Sequence, residues 1–276
     1  MSEFDQYAVM GNPIAHSKSP LIHSAFAQET GQELTYTAIL VAHGAFSTAA
    51  TTFRARGGKG LNITVPFKVD AYTLADLHSE RAKRAGAVNT LQVLADGRWY
   101  GDNTDGVGLV RDLTDNLGIY LVGTRLLILG AGGAAHGILQ PLLTARPDQI
   151  FIANRTPAHA KKLAEDFADL GPISGGGFDD LHGKQFDLVL NATSASLEGE
   201  VPPLPDRLLT EGAWCYDLMY SSTLTPFLRW ATLHGAYKIE DGLGMLVEQA
   251  AEAFFLWRGV RPSTAPVIRK LRGPNI

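Results

Sequence analysis

The sequence lacks most of what would mark an extracellular, metal-held or membrane-bound protein. Cysteine occurs once, at Cys215, so no internal disulfide and no cysteine-built zinc cluster can form. The eight histidines are scattered, without the spacing of metal ligands, and no metal site is expected. No apolar run approaches the ~18 residues that a membrane span needs. The opening Met1-Ser2-Glu3-Phe4-Asp5 is acidic and has no apolar signal core, which predicts a cytoplasmic protein. Basic blocks are missing too, and the net charge is −4, which argues against a nucleic-acid surface. There are no low-complexity tracts and no internal repeats.

What is present is a core-forming chain, 45% hydrophobic and 19% charged over 276 residues. That length suits two domains at roughly 150 residues each. Four apolar residues in a row, Leu126 to Leu129, read as a buried parallel strand. Gly130, Gly132 and Ala135 then match G-x-G-x-x-G/A, and Ile138, Leu139, Leu142 and Leu143 follow at helical spacing. Gly130 suits the tight turn, Gly132 the close approach of a pyrophosphate, and Ala135 the packing of helix on strand. The loop and helix start, Gly130-Ala131-Gly132-Gly133-Ala134, would offer N–H groups and a positive dipole end to phosphates. A second strand, Ile150 to Ala153, completes the context of a dinucleotide site. It ends in Asn154-Arg155-Thr156, beginning 24 residues after Gly130, near the spacing of about 20 where NAD proteins place an acidic residue. An arginine there accommodates the 2′-phosphate of NADP. On spacing alone, a solvated turn residue remains the other reading of Arg155.

Ahead of this loop the chain predicts a β-α-β-α order. Tyr7 to Met10 reads as a strand, the stretch from Pro20 to about Thr30 as a helix, Thr35 to Val41 as a strand and Ala45 to Arg56 as a helix. Ser17 and Ser19 beside the helix start are hydroxyl donors fit for a carboxylate, or Ser19 is simply an N-cap. Leu61 to Val65 alternates as a strand and is ended by Pro66, which sets Lys68 in the first turn of a helix. A lysine there opposes the macrodipole, mild evidence for a role beyond solvation. Arg81, Lys83 and Arg84 read as a solvated face. Asn89 falls near a strand start, with Trp99-Tyr100-Gly101 as hairpin partner. Thr104 or Asp105 opens a helix with Val110, Leu113 and Leu117 on one face, either as a cap or as something more. This helix is expected to cross into the second domain.

After the glycine loop, Phe186 to Leu190 is a buried strand ending in Asn191-Ala192-Thr193-Ser194-Ala195-Ser196, small polar residues where open α/β sheets line a ligand crevice. Gly175-Gly176-Gly177 and Pro202-Pro203 mark loops, and Ala213 to Tyr216 reads as a strand. A last long helix, Leu243 to about Trp257, buries Leu243, Leu246, Val247, Ala250, Phe254 and Trp257 on one stripe. Gln249 lies off it. Pro262 stops the helix, and a short one follows.

Several of these stretches match one family together. They are Gly11-Asn12-Pro13 with His16-Ser17-Lys18-Ser19-Pro20, Asn62-Ile63-Thr64-Val65-Pro66-Phe67-Lys68, Gly86-Ala87-Val88-Asn89-Thr90 and Gly101-Asp102-Asn103-Thr104-Asp105-Gly106. The Gly130 loop, Asn154-Arg155-Thr156, Asn191-Ala192-Thr193-Ser194 and the run from Asp241 to Gln249 join them. The chain resembles the shikimate dehydrogenase family over nearly its whole length. The resemblance implies an α/β fold with an N-terminal substrate domain (1–104, completed by 242–276), a Rossmann-like NADP domain (105–241) and an active site in the cleft between them. It implies Lys68 and Asp105 as the catalytic pair, Ser17 and Ser19 on the substrate carboxylate, and Asn62, Thr64, Asn89, Asp105 and Gln249 on its ring hydroxyls, with Tyr220 reaching the acid. The glycine loop, Asn154, Arg155, Thr156, His159, Thr193, Leu218 and Gly242 would hold NADP. The implied reaction is reversible hydride transfer between NADPH and 3-dehydroshikimate, by a monomer or homodimer that binds neither nucleic acid nor membrane.

Those residue types make coherent chemistry. Hydride leaving a carbon requires the hydroxyl proton on that carbon to leave as well, and a lysine, with an ordinary pKa of about 10.4, suits the acid role in the reducing direction. Two positions depart from the family pattern. His159 stands where a second basic residue commonly completes the 2′-phosphate clamp, and His136 where an arginine often follows the glycine loop. A histidine is charged only when protonated, so both changes weaken the positive field at the cofactor. The alternatives that remain are a paralogue using NAD or quinate, a catalytically silent NADP-binding module, and a folate-linked dehydrogenase. The polar, non-aromatic candidates suit a small hydroxy acid better than a pterin.

Overall fold

The computed structural model of the protein describes residues 4–193, 195 and 199–273; Ser194 and Ser196 of the stretch after Leu190 lie outside the described residues. The chain divides into two compact units, Met1–Gly108 with Leu246–Ile276, and Leu109–Met245. Both are α/β, and the C-terminal helices belong to the first unit, the fold class that the sequence predicts.

The first unit runs β1 (Asp5–Gly11), α1 (Ser19–Thr30), β2 (Leu34–Leu40), α2 (Phe46–Ala55), β3 (Gly58–Ile63), α3 (Lys68–Leu74), β4 (Leu77–His78), α4 (Glu80–Ala85), β5 (Thr90–Val93) and β6 (Trp99–Asp102). Helix α5 (Asp105–Arg111) and a π-helical turn (Asp112–Asn116) carry the chain into the second unit. The sheet order is β2-β1-β3-β5-β6-β4, with β1 parallel to β2 and β3, and β5 antiparallel to β3 and β6. Alternation along β1 sends Ala8 and Met10 into one core, with Leu61, Phe67 and Trp99, and Tyr7 and Val9 to the other face. The register sets Val9, Asn62, Thr90 and Asp102 opposite one another across four strands.

Strand β3 begins three residues before the expected Leu61 and ends at Ile63. Glycine reads as a turn residue, but a side chain at Gly58 would strike the Phe53 ring at 2.1 Å, and one at Gly60 the Trp257 indole at 2.6 Å. Two large rings use the space instead.

The second unit runs β7 (Arg125–Leu129), α6 (Gly133–Thr144), β8 (Gln149–Ala153), α7 (Pro157–Phe167), β9 (Ile173–Gly176), β10 (Phe186–Asn191), β11 (Leu209–Asp217), α8 (Pro226–Leu233) and β12 (Lys238–Asp241). Its sheet is parallel throughout, in the order β12-β11-β10-β7-β8-β9. Leu126 and Ile128 pack under one face, Leu127 and Leu129 under the other, which is why the strand reads as one apolar run. The four α6 residues Ile138, Leu139, Leu142 and Leu143 are buried. Gly175 and Gly176 are strand, where a loop is expected. A side chain at Gly175 would meet the Ala160 carbonyl oxygen at 2.2 Å, so glycine there lets α7 lie directly on the sheet.

Helices α9 (Leu243–Arg258) and α10 (Ala265–Arg272) follow. From α9, Val247, Ala250, Ala251 and Phe254 join Ile22, Phe26 and Ala27 of α1 in one buried cluster. Arg81 is not the solvated residue that its charged neighbours suggest. It bonds Asp102 through Nε at 2.7 Å and Nη2 at 2.6 Å, and Glu252 of α9 at 3.1 Å. The Asp102 side chain is only 3% exposed, and a carboxylate buried this deeply requires a partner.

Candidate functional site

β3 ends at Ile63, a turn through Pro66 follows, and α3 then starts with Lys68 as its first residue. The Lys68 Nζ donates to Asp105 Oδ2 at 2.5 Å. Asp105 opens α5, and its other oxygen accepts from Asn89 Nδ2 at 2.7 Å, so both oxygens are held and the side chain does not cap its own helix. Thr104 is equally engaged. Its N–H and hydroxyl both bond Asn89 Oδ1, at 2.9 and 3.2 Å. Gln249 arrives from α9 because Gly108 has no side chain: a Cβ there would lie 2.6 Å from the Gln249 nitrogen. Its Oε1 faces Asn89 Nδ2 at 3.4 Å. Lys68, Asn89, Asp105 and Gln249 therefore form one connected set.

Asn62 joins that set from β3. Its Nδ2 donates to Thr90 Oγ1 at 3.1 Å, and its Oδ1 accepts from the Tyr36 hydroxyl at 2.7 Å. Ser17 and Ser19 pair locally, the Ser19 N–H bonding Ser17 Oγ at 3.3 Å. The N-cap of α1 is Lys18, and no side chain caps the helix, so Ser19 is not there as a cap. Ser19 faces the Tyr36 phenol, which burial keeps protonated well above its ordinary pKa. His23 stacks on Tyr36 with ring centroids 4.2 Å apart, and burial pushes its imidazole down to about 3 against a smaller opposing pull from Asn62. Thr64 is half-buried, its N–H bonding the Met10 carbonyl at 3.0 Å.

Tyr36 and Thr90 are absent from the residues picked out in sequence, and Thr104 is picked out there only at a helix start, with no partner named. Thr90 and Thr104 sit inside quoted stretches and were detectable there. Tyr36 carries no local signal, because its partners come from other strands and helices.

The remaining predicted residues lie in the second unit, at the carboxyl ends of its parallel strands, where such sheets bind ligands. Gly130 has φ +100° and follows β7, whose neighbours β8 and β10 leave to opposite sides. Gly132 caps α6 in extended conformation, and open space lies where side chains at Gly132 and Gly133 would project. The first α6 bond runs from His136 N–H to the Gly132 carbonyl at 3.1 Å, so the Gly133, Ala134 and Ala135 N–H groups precede it. Ala131 packs at the core edge. This cradle fits a pyrophosphate. Arg155, Thr156 and His159 are exposed at the start of α7, with Asn154 Nδ2 fixing the turn on the Thr156 carbonyl at 3.0 Å. Burial lowers the His136 pKa, with Asp166 opposing.

Thr193, Leu218 and Gly242 gather around two buried residues: Asn191, which the sequence places among the small polar residues of a ligand crevice, and Asp217, to which it assigns no role. Asn191 Nδ2 donates to Asp217 Oδ1 at 3.1 Å, and Asn191 Oδ1 accepts from the Thr193 hydroxyl at 2.7 Å. The Leu218 N–H returns to the Asn191 carbonyl at 3.0 Å. Gly242 lies so close that a Cβ would be 2.1 Å from the Leu218 oxygen. Tyr220 is half-buried, its pKa raised by burial and by Asp241.

Together the parallel sheet with its glycine cradle and the mixed sheet with its lysine–carboxylate pair define a two-unit α/β protein of the dinucleotide-binding class. Three family models match it: the shikimate dehydrogenase substrate binding domain over residues 9–91, shikimate / quinate 5-dehydrogenase over 113–198, and the shikimate 5′-dehydrogenase C-terminal domain over 242–272. The chain belongs to the shikimate dehydrogenase family. It is 58% identical to shikimate dehydrogenase (NADP⁺) of Methylococcus capsulatus, across 98% of this chain and 97% of that one. It is 60% identical to the enzyme of the same name from Alkalilimnicola ehrlichii, across 97% and 98%. A crystal structure of shikimate 5-dehydrogenase from Thermus thermophilus in complex with NADP(H) and shikimate superposes with a TM-score of 0.85 at 35% identity, covering 96% of this chain and 97% of that one.

Proposed function

We propose that the protein is an NADP-dependent shikimate dehydrogenase, which reversibly reduces 3-dehydroshikimate to shikimate in the biosynthesis of chorismate and the aromatic amino acids. The reading rests above all on the Lys68–Asp105 pair, 2.5 Å apart and tied to Asn89. Ser17 and Ser19 hold the carboxylate, while Asn62, Thr64, Asn89 and Gln249 hold ring hydroxyls and Tyr220 reaches the acid. In the second unit, Gly130, Ala131, Gly132, Gly133 and Ala134 take the pyrophosphate, and Arg155 takes the 2′-phosphate with Asn154, Thr156 and His159. Thr193, Leu218 and Gly242 line the rest of the dinucleotide site.

NADP, when bound, accepts hydride from the substrate carbon and in its reduced form returns it. The chain's own task is the proton. When the carbon gives up hydride, the hydroxyl on it must lose its proton, and in the reducing direction the same oxygen must gain one. Lys68 Nζ exchanges that proton as general base and general acid. Asp105 fixes the amine through Oδ2, and Asn89 keeps the carboxylate from turning, so the amine meets the substrate oxygen in one orientation. The enzyme works in the cytoplasm as a monomer or homodimer.

The test is to mix the purified protein with shikimate and NADP and follow the near-ultraviolet absorbance of reduced nicotinamide. Reduction is expected with shikimate and NADP, and weaker reduction with NAD or with quinate. Failure of shikimate to reduce NADP overturns the reading in favour of a silent binding module, and preference for quinate or NAD favours the paralogue.

A further inference from the structure

Tyr36 has no role in the chemistry described so far, yet its phenol bears on a residue that does. It stands on β2 opposite Tyr7, with 8% of its surface exposed. His23 lies parallel to the ring within 5°, which holds the ring in place, and Ser19 also faces the hydroxyl. The phenol's single O–H is committed to Asn62 Oδ1 at 2.7 Å.

A primary amide has one acceptor oxygen and two N–H donors. With its oxygen taken by Tyr36, Asn62 turns Nδ2 toward Thr90 Oγ1 at 3.1 Å, and only distantly toward the Asn89 carbonyl at 3.4 Å. Turned over, the amide would set its N–H against the phenol proton and its oxygen against the Asn89 carbonyl. One amide N–H is thus weakly engaged and locked in direction. We propose that Tyr36 is a positioning residue for the substrate: it fixes the Asn62 amide so that Nδ2 donates to a substrate ring hydroxyl. This rests on the shikimate reading of the site.

Oxidation of shikimate by the wild-type protein is therefore measured first. If that is absent, the functional reading falls, whatever Tyr36 does. Given activity, Tyr36→Phe keeps the ring on His23 and removes one hydroxyl. It should raise KM for shikimate roughly 5- to 30-fold, the effect of one misdirected buried hydrogen bond, with kcat and KM for NADP little changed. Asn62→Ala should raise KM similarly, and the double variant no further than Asn62→Ala alone, because Tyr36 acts through Asn62. An unchanged KM in Tyr36→Phe, or effects that multiply in the double variant, overturns the proposal. Should Tyr36→Phe not fold, the wild-type protein carries the test. Its Asn62 side-chain amide, assigned in NMR spectra against Asn62→Ala, should show two distinct protons, one of them moved by added shikimate. If neither moves, the proposal is wrong.

Discussion

Three side chains make separable demands on experiment. Lys68 is the proposed proton carrier, so Lys68→Ala should lower turnover by roughly 10²- to 10⁴-fold, the usual contribution of a positioned acid–base group. Shikimate binding, measured by calorimetry, should weaken far less. Arg155 is exposed at the start of α7. The charge-assisted bond to a 2′-phosphate proposed for it should favour NADP over NAD by roughly 10- to 150-fold in kcat/KM. Arg155→Ala should bring the two cofactors near parity, and His159→Arg should widen the preference. His23 reports on stability instead. Burial lowers its pKa to about 3 from an ordinary value near 6.5. Between those values the unfolded chain binds the extra proton. Stability is therefore full above the unfolded pKa and is lost as pH falls toward the folded one, by roughly 1 kcal/mol per pH unit. His23→Phe should reduce that slope in urea titrations at pH 7 and pH 5.

At the scale of elements, the Arg81 network joins α4 to β6 and to α9. Arg81→Met leaves Asp102, a side chain only 3% exposed, without its cation, whereas Glu252 keeps Arg261. Breaking such a pair costs about 3 kcal/mol or more, read as a lower urea midpoint. This network also marks the limit of what sequence alone discloses. Leu126 to Leu129 and Phe186 to Leu190 are legible because strands buried on both faces are apolar throughout. Lys68, Asp105 and the serines are legible because each sits in a short distinctive stretch. Arg81 is not, because its partner Glu252 lies 171 residues away. Nor is β9, whose Gly175 answers to the approach of α7 and whose Gly176 answers to Asp180, rather than to any turn. Tyr36 belongs with these: the phenol matters through Asn62, 26 residues further on.

At the scale of the whole molecule, the two units differ in continuity. The second is one uninterrupted stretch, Leu109–Met245, whereas the first needs Leu246–Ile276. Without α9 the buried cluster of Ile22, Phe26 and Ala27 loses Val247, Ala250, Ala251 and Phe254, and the Trp257 indole no longer donates to the Leu91 carbonyl at 3.1 Å. A fragment of residues 109–245 should therefore unfold cooperatively in urea and bind NADP. A fragment of residues 1–108 should show no cooperative transition by circular dichroism.

The discontinuity also dictates a sequence of events on the ribosome. The part of the chain made first is finished last. All six strands of the first sheet are already made, but that unit must wait, its α1 face bare, while the whole of the second unit is translated, on the order of ten seconds at ~5–20 residues per second. The dinucleotide unit can close on its own while still tethered. Only when α9 clears the exit tunnel does the earlier sheet acquire its cover, and with it Gln249. A nascent chain stalled before that helix would expose an apolar surface to which chaperones bind, and one released after it would not.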